Sequence, residues 1–198
     1  MTPELRSRIF RELLQLQLCR VGIVDALEAV AEELDLDVLR QAHRAVKHEG
    51  ATLGAALAAV APEGRETLAR ADETGDFQSA CRDLAELPEG AEPPAGTLAG
   101  DLFAVYGELA RVLEDRPVVE AARVASELPV REELRAALRQ IAAENSFIRA
   151  MRERPALFSP TARLMVKHSE ECGGIQKAFL LLADGLKAGA YLSRGDEP

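Results

Sequence analysis

Apolar residues recur every three or four positions along most of the chain, which is the spacing of one face of an α-helix. The first stripe follows Thr2-Pro3-Glu4, where a capping threonine and a proline in the first turn are typical of a helix start. Leu and Ala dominate the apolar positions and β-branched and aromatic residues are scarce, which favours helix over strand. We therefore predict an all-α protein.

Glycines and prolines divide the pattern into helices and separate two halves of the chain. A stretch rich in proline and glycine lies near the middle, and its composition is typical of a linker. After it the same order of elements begins again. In each half this order is a long helix, two further helices, a short helix, a helix ending in a glycine turn, and a last helix. We predict two tandem helical bundles of about six helices each; the predicted boundaries are 1–87 for the first bundle, 88–97 for the linker, 98–192 for the second bundle and 193–198 for a flexible tail.

The two halves also correspond at individual positions. The clearest pair is Glu73-Thr74-Gly75 with Glu171-Cys172-Gly173, each ahead of the last helix of its half. A repeat of this length exceeds the roughly 20–50 residues of a solenoid unit. The pattern therefore predicts an internally duplicated domain.

The glycine turns carry an unfavourable charge twice. Glu73 and Glu171 each lie in the last turn of a predicted helix, just before Gly75 or Gly173. A carboxylate there opposes the negative end of the helix dipole, at a cost of about 0.3–1 kcal/mol. We hypothesise that each glutamate accepts hydrogen bonds from the free N–H groups at the start of a neighbouring helix and so fixes the turn.

The same turns are also candidates for cation binding. Acidic residues cluster there, and calcium prefers such oxygen ligands, although the EF-hand pattern is missing. A capping or solvated role for these carboxylates is the favoured interpretation, and no metal ligand is assigned. The clustered residues are Asp72, Glu73 and Asp76 in the first half, and Glu170 and Glu171 in the second.

Charge and cysteine content narrow the function classes. The net charge of −9, with basic and acidic residues interspersed, argues against nucleic acid as a partner. The three cysteines, Cys19, Cys81 and Cys172, are far apart and show neither CxxC nor Cys/His zinc spacing, so we expect reduced thiols. No apolar stretch approaches the roughly 20 residues of a spanning helix, and the first residues do not resemble a signal peptide. We expect a soluble cytoplasmic protein.

Catalytic chemistry has no evident sequence signature in this chain. Phosphate-binding loops, GxSxG and HExxH are absent. His168 and Cys172 are four residues apart and can face each other on one helix, but no orienting group or oxyanion hole is evident, and a partly buried structural thiol is favoured. We expect a protein that is not an enzyme and needs no cofactor.

The order of elements resembles the cytoplasmic domain of the type II secretion system F family, the inner-membrane platform proteins of type II secretion and type IV pilus machines. The second half is similar to the same domain in a degenerate form. Four sequence elements of the first half carry the resemblance: Ile9-Phe10-Arg11-Glu12-Leu13-Leu14, Asp25-Ala26-Leu27-Glu28, Gly50 with Leu53, Ala56 and Leu57, and Asp72-Glu73-Thr74-Gly75-Asp76-Phe77.

The resemblance implies a function in assembly. Platform proteins carry membrane-spanning helices after each copy, whereas this chain has a linker and a short polar tail there, so a soluble relative is implied. It would be a scaffold or adaptor that binds proteins, with the assembly ATPase or other secretion or pilus components as partners, at the inner membrane only through them. Self-association as a homodimer is an alternative that the sequence leaves open. The alternatives are a stand-alone helical interaction module unrelated to secretion, and an enzyme or metal-dependent sensor between the copies.

Overall fold

The structure, a computed structural model, describes residues 1–85 and 91–187. Throughout these two ranges every regular element is helical, which confirms the predicted all-α class. The chain divides into two compact units, Met1–Pro88 and Glu89–Pro198. Residues 91–97 of the predicted linker form no helix. The rest of that linker up to residue 90 and the predicted tail 193–198 lie outside the described residues.

The first unit forms a closed ring of helices. Each helix packs against the next along the chain, and the last one returns to pack against the first. A single turn of 3₁₀ helix, Pro62–Gly64, precedes the fifth. The helices described in this unit are α1 (Pro3–Leu18), α2 (Ile23–Leu34), α3 (Asp37–His48), α4 (Leu53–Leu57), α5 (Arg65–Thr74) and α6 (Phe77–Leu84).

The second unit repeats this packing order. Neighbouring helices again pack in sequence, and the last one closes the ring against the first. Its fourth helix is short, as is the fourth helix of the first unit. The helices described here are α7 (Leu98–Val112), α8 (Val118–Ala125), α9 (Glu132–Glu144), α10 (Phe147–Arg152), α11 (Pro160–Cys172) and α12 (Ile175–Lys187).

Aromatic residues anchor the core of the second unit. The ring of Phe179 lies 5.6 Å from that of Tyr106 and 4.9 Å from that of Phe147, measured between centroids, and all three side chains are fully buried. Such tilted and edge-on contacts add to the apolar area that these rings remove from water. Phe103 is only half-buried, and the Lys187 ammonium lies 5.5 Å from its ring centre.

Several helices begin with the capping residues that their sequence indicates. The Thr2 hydroxyl accepts from the backbone N–H of Leu5, and the Ser159 hydroxyl accepts from that of Ala162. In the part of the chain that the structure describes, no helix combines the length and the apolarity needed to cross a membrane.

Candidate functional site

A carboxylate of α5 binds the start of α4 in the first unit. Asp72 lies in the last turn of α5, where Oδ1 accepts from the backbone N–H of Gly54 at 2.8 Å and Oδ2 from that of Ala55 at 3.2 Å. The hydroxyl of Thr52, the N-cap of α4, donates to Oδ2 at 2.5 Å. The carboxylate therefore pairs with two backbone donors that lack a partner within the helix.

The second unit contains the same arrangement with a longer side chain. Glu170, in the last turn of α11, accepts from the backbone N–H of Phe147 through Oε1 at 3.1 Å and from that of Ile148 through Oε2 at 3.3 Å. The hydroxyl of Ser146, the N-cap of α10, lies 3.4 Å from Oε2. A hydroxyl and two successive backbone N–H groups thus contact one carboxylate in each unit.

The two carboxylates occupy equivalent positions. Asp72 is three residues before Gly75, which ends α5 in the left-handed conformation, and Glu170 is three residues before Gly173, which follows α11. The helices they cap have only five and six residues, and helices so short are not stable by themselves. We call each of these contacts a carboxylate cap; each fixes a short helix to the following long one.

The prediction that Glu73 and Glu171 form these contacts is wrong by one residue. Both side chains are exposed, and neither forms a hydrogen bond or ion pair with any residue that the structure describes. One residue is a rotation of 100° around a helix, so the residue after Asp72 faces solvent. The signal that identifies Asp72 is Leu68, a buried residue four positions earlier on the same face.

In each carboxylate cap the length of the acidic side chain matches the distance between the two helices. A Cβ atom at Gly54 would lie 2.3 Å from the carbonyl oxygen of Leu68, so α4 contacts the backbone of α5 and the short Asp72 side chain reaches it. Ile148 stands at the matching place in the second unit, where a branched side chain needs more room. There the capping residue is glutamate, which is one methylene longer.

A groove lies beside the carboxylate cap of the first unit, between α4 and α5. Its volume is about 400 Å³, and four of the residues that line it are glycine or alanine. At the matching positions of the second unit all the residues are large. The groove residues are Gly54, Ala55, Ala58, Arg65, Ala69 and Asp72; their counterparts, aligned on the two carboxylate caps, are Ile148, Arg149, Arg152, Arg163, Lys167 and Glu170.

The other candidate chemistry is not assembled into a site. Among the described residues no three His, Cys, Asp or Glu side chains are placed to hold a metal ion. Cys172 Sγ lies 3.5 Å from His168 Nδ1, but this thiol is exposed, so the prediction of a partly buried one is wrong. Cys19 and Cys81 are buried, and burial raises the pKa of the Cys81 thiol to about 12.

Two sets of ionic contacts, each to a buried carboxylate, were not predicted from the sequence. Asp101 of α7 accepts from Arg131 at the start of α9, from the backbone N–H at 3.2 Å and from Nε at 2.9 Å. Arg8 of α1 donates from Nε to the fully buried Glu12 at 2.8 Å, and its Nη2 lies 3.6 Å from Glu33 of α2. The signal for both contacts is a charged residue on the apolar stripe of its helix, which must find a partner when buried.

No protein-family profile, curated protein or solved structure matches this chain.

Proposed function

We propose that this protein is a non-enzymatic scaffold or adaptor that acts by binding other proteins. The observation that carries the proposal is the matched construction of the two units. Each is a ring of six described helices in the same packing order, and each fixes its short fourth helix by a carboxylate cap. This repetition supports an internally duplicated domain, and two units of the same construction offer two related helical surfaces for protein contacts.

The chemical use of the acidic residues also supports a structural role. Asp72 and Glu170 both have their oxygens engaged by donors at helix starts, and Asp101 is engaged by Arg131. Asp72 and Glu170 therefore stabilise contacts between helices. Each of these two carboxylates holds the backbone at the start of a short helix.

The proposed partners follow from the resemblance to the platform proteins of secretion and pilus machines. On this proposal the chain works in the cytoplasm, reaches the inner membrane through its partners, and binds the assembly ATPase or another component of such a machine. The proposal is supported by the resemblance stated from the sequence, and the order of helices that carries that resemblance recurs in both halves of the chain.

Direct binding tests the proposed partner. The purified full-length chain is immobilised and titrated with the purified secretion or pilus ATPase encoded in the same genome, and biolayer interferometry records the association. An unrelated helical protein of similar net charge serves as the control ligand. Saturable binding to the ATPase alone supports the proposal. Equal signals with the control, or none with the ATPase, contradict it; a defined partner outside secretion then favours the stand-alone module.

A further inference from the structure

One helix of the second unit bears an exposed apolar side chain between two opposite charges. Leu180 of α12 is 50% exposed, which is unusual for leucine among the described residues of this chain. Lys177 precedes it by three residues and Asp184 follows it by four, so all three share one face of the helix. We call this set the α12 ridge. The Oδ1 atom of Asp184 lies 3.6 Å from Nζ of Lys187, and this exposed ion pair contributes little stability.

The groove of the first unit has the complementary arrangement along α5. Ala69 lies in the middle, Arg65 is four residues before it, and Asp72 is three residues after it. Arg65 is exposed and forms no ion pair with any described residue. Asp72 accepts three hydrogen bonds, and a carboxylate offers about four acceptor positions, so one remains for a cation.

The two sets of residues match when the helices run antiparallel. Ala69 then lies opposite Leu180, Arg65 opposite Asp184, and Asp72 opposite Lys177, because the separations of four and three residues are the same on both helices. The charged ends are about 10 Å apart on each, from the rise of 1.5 Å per residue. One antiparallel register of α5 and α12 therefore pairs opposite charges at both ends and places Leu180 against Ala69.

We propose that the groove between α4 and α5 of one copy receives the α12 ridge of a second copy of this chain. Leu180 enters the groove over Ala69, and opposite charges pair at both ends of the contact. The proposal rests on the proposed function, protein binding through helix faces, and specifies one partner as the chain itself. The matching positions of the second unit carry Ile148, Arg149, Arg152 and Lys167, so they leave no comparable groove.

A contact between different surfaces of identical chains is heterologous. Each bound copy still presents one unoccupied groove and one unoccupied ridge. Assembly therefore continues beyond a dimer, either as a growing chain or as a closed ring. The two ion pairs are exposed at the ends of the contact, so salt must weaken the assembly.

Sedimentation velocity of the full-length protein, from micromolar to millimolar concentration, tests the proposal. The mean mass of the wild-type protein is expected to rise with concentration and to fall on addition of salt. Leu180→Ser and Ala69→Lys are each expected to weaken association about tenfold or more, because one removes the apolar side chain and the other fills its groove. Val124→Ser, which changes another exposed apolar residue, is the control and is expected to associate like the wild type.

Mixing the two variants gives the most specific result. Ala69→Lys protein keeps its ridge and Leu180→Ser protein keeps its groove, so at concentrations where each alone is monomeric the mixture is expected to form a dimer that cannot extend. Lysine stands at the matching position 167 and serine replaces an exposed side chain, so both variants are expected to fold, which circular dichroism checks. A monomeric mixture together with a self-associating wild type would show that the contact lies elsewhere, and the proposal would be overturned.

Charge exchange tests the register of the two helices. Arg65→Glu or Asp184→Arg alone is expected to weaken association about tenfold, and the double variant is expected to recover to within about threefold of the wild type. Arg70→Glu reverses a neighbouring exposed charge and serves as the matched control. A wild-type protein that is monomeric throughout the range overturns the proposal. Binding to the ATPase is measured separately, so it can succeed or fail independently of self-association.

Discussion

The carboxylate cap of the first unit predicts a large difference between two adjacent acidic residues. In the Asp72→Ala variant the backbone N–H of Gly54 and the hydroxyl of Thr52 lose their acceptor. The N–H of Ala55 keeps a partner, since the Thr52 hydroxyl also accepts from it at 3.3 Å. Loss of a helix cap costs about 0.5–2 kcal/mol, and hydrogen bonds to a charged group lie at the upper end. We expect the free energy of unfolding to fall by about 2 kcal/mol.

The measurement is urea denaturation of the full-length protein followed by circular dichroism at 222 nm, a standard wavelength for helix content. With a urea m-value of about 2 kcal/mol per molar, the midpoint of the transition that reports the first unit moves down by about 1 M. Glu73→Ala is the matched control, because it removes a neighbouring carboxylate that is exposed. Its expected change is within about 0.5 kcal/mol, with a small gain from relief of the helix dipole.

The same comparison applies to the second unit with Glu170→Ala and Glu171→Ala. Glu170 contacts two backbone N–H groups there, and Glu171 is exposed. If the two members of either pair shift the midpoint equally, the carboxylate does not stabilise the short helix and the reasoning fails. A shift that appears only in the Asp72 and Glu170 variants agrees with it.

Three further outcomes are expected. Gly54→Ala places a methyl group against the backbone of α5 and is expected to destabilise the protein by about 2 kcal/mol or more, measured by the same urea transition. At pH 8 a thiol reagent is expected to modify exposed Cys172 rapidly and buried Cys81 only on unfolding, because burial raises the pKa of Cys81 to about 12; equal rates would contradict this. The hydrogen bond from the backbone N–H of Ser79 lowers the pKa of Asp76. This cap therefore stabilises α6 at pH values above the ordinary carboxyl pKa, and its contribution is lost as the pH falls below about 4. In urea titrations, the difference in the free energy of unfolding between the wild type and Asp76→Ala should shrink over that pH range.

The helix order could be predicted from the sequence because periodicity and punctuation are local properties. Gly75 followed by Asp76 indicates the end of one helix and the start of the next, and the structure places α5 and α6 on either side of that pair. The proline at position 160, after a serine, indicates the start of α11 in the same way. Each of these signals acts within one turn of chain, so no tertiary information is needed.

The identity of the capping carboxylate could not be settled by the helix dipole. That argument treats every acid in the last turn alike, whereas the contact depends on which side chain faces the neighbouring helix. Asp72 follows buried Leu68 by four residues, and Glu170 follows buried Val166 by four, so both lie on the buried face. Recognising that Thr52 lies opposite Asp72, or Ser146 opposite Glu170, requires the packing of residues that are 20 and 24 positions apart in sequence.

The groove was not predicted because it depends on the distance between two helices. Gly54 allows α4 to contact α5, and the small residues Ala58 and Ala69 then leave the surface open. In a sequence these residues are ordinary helix formers with no distinguishing period. Only the packed pair of helices shows that they share one depression.

The differences between the two units are as informative as their agreement. The carboxylate cap occurs in both, with aspartate beside glycine in one and glutamate beside isoleucine in the other, so the contact is kept while the space around it differs. A change of the carboxylate alone, or of the glycine or isoleucine beside it alone, would stretch or compress the hydrogen bonds of the cap. The first unit keeps a small residue, Ala69, where the second has Lys167, so only the first can accept an apolar side chain there. Two units with the same packing order and unlike surfaces have the polarity that head-to-tail assembly requires, and this links the scaffold proposal to the groove and the α12 ridge.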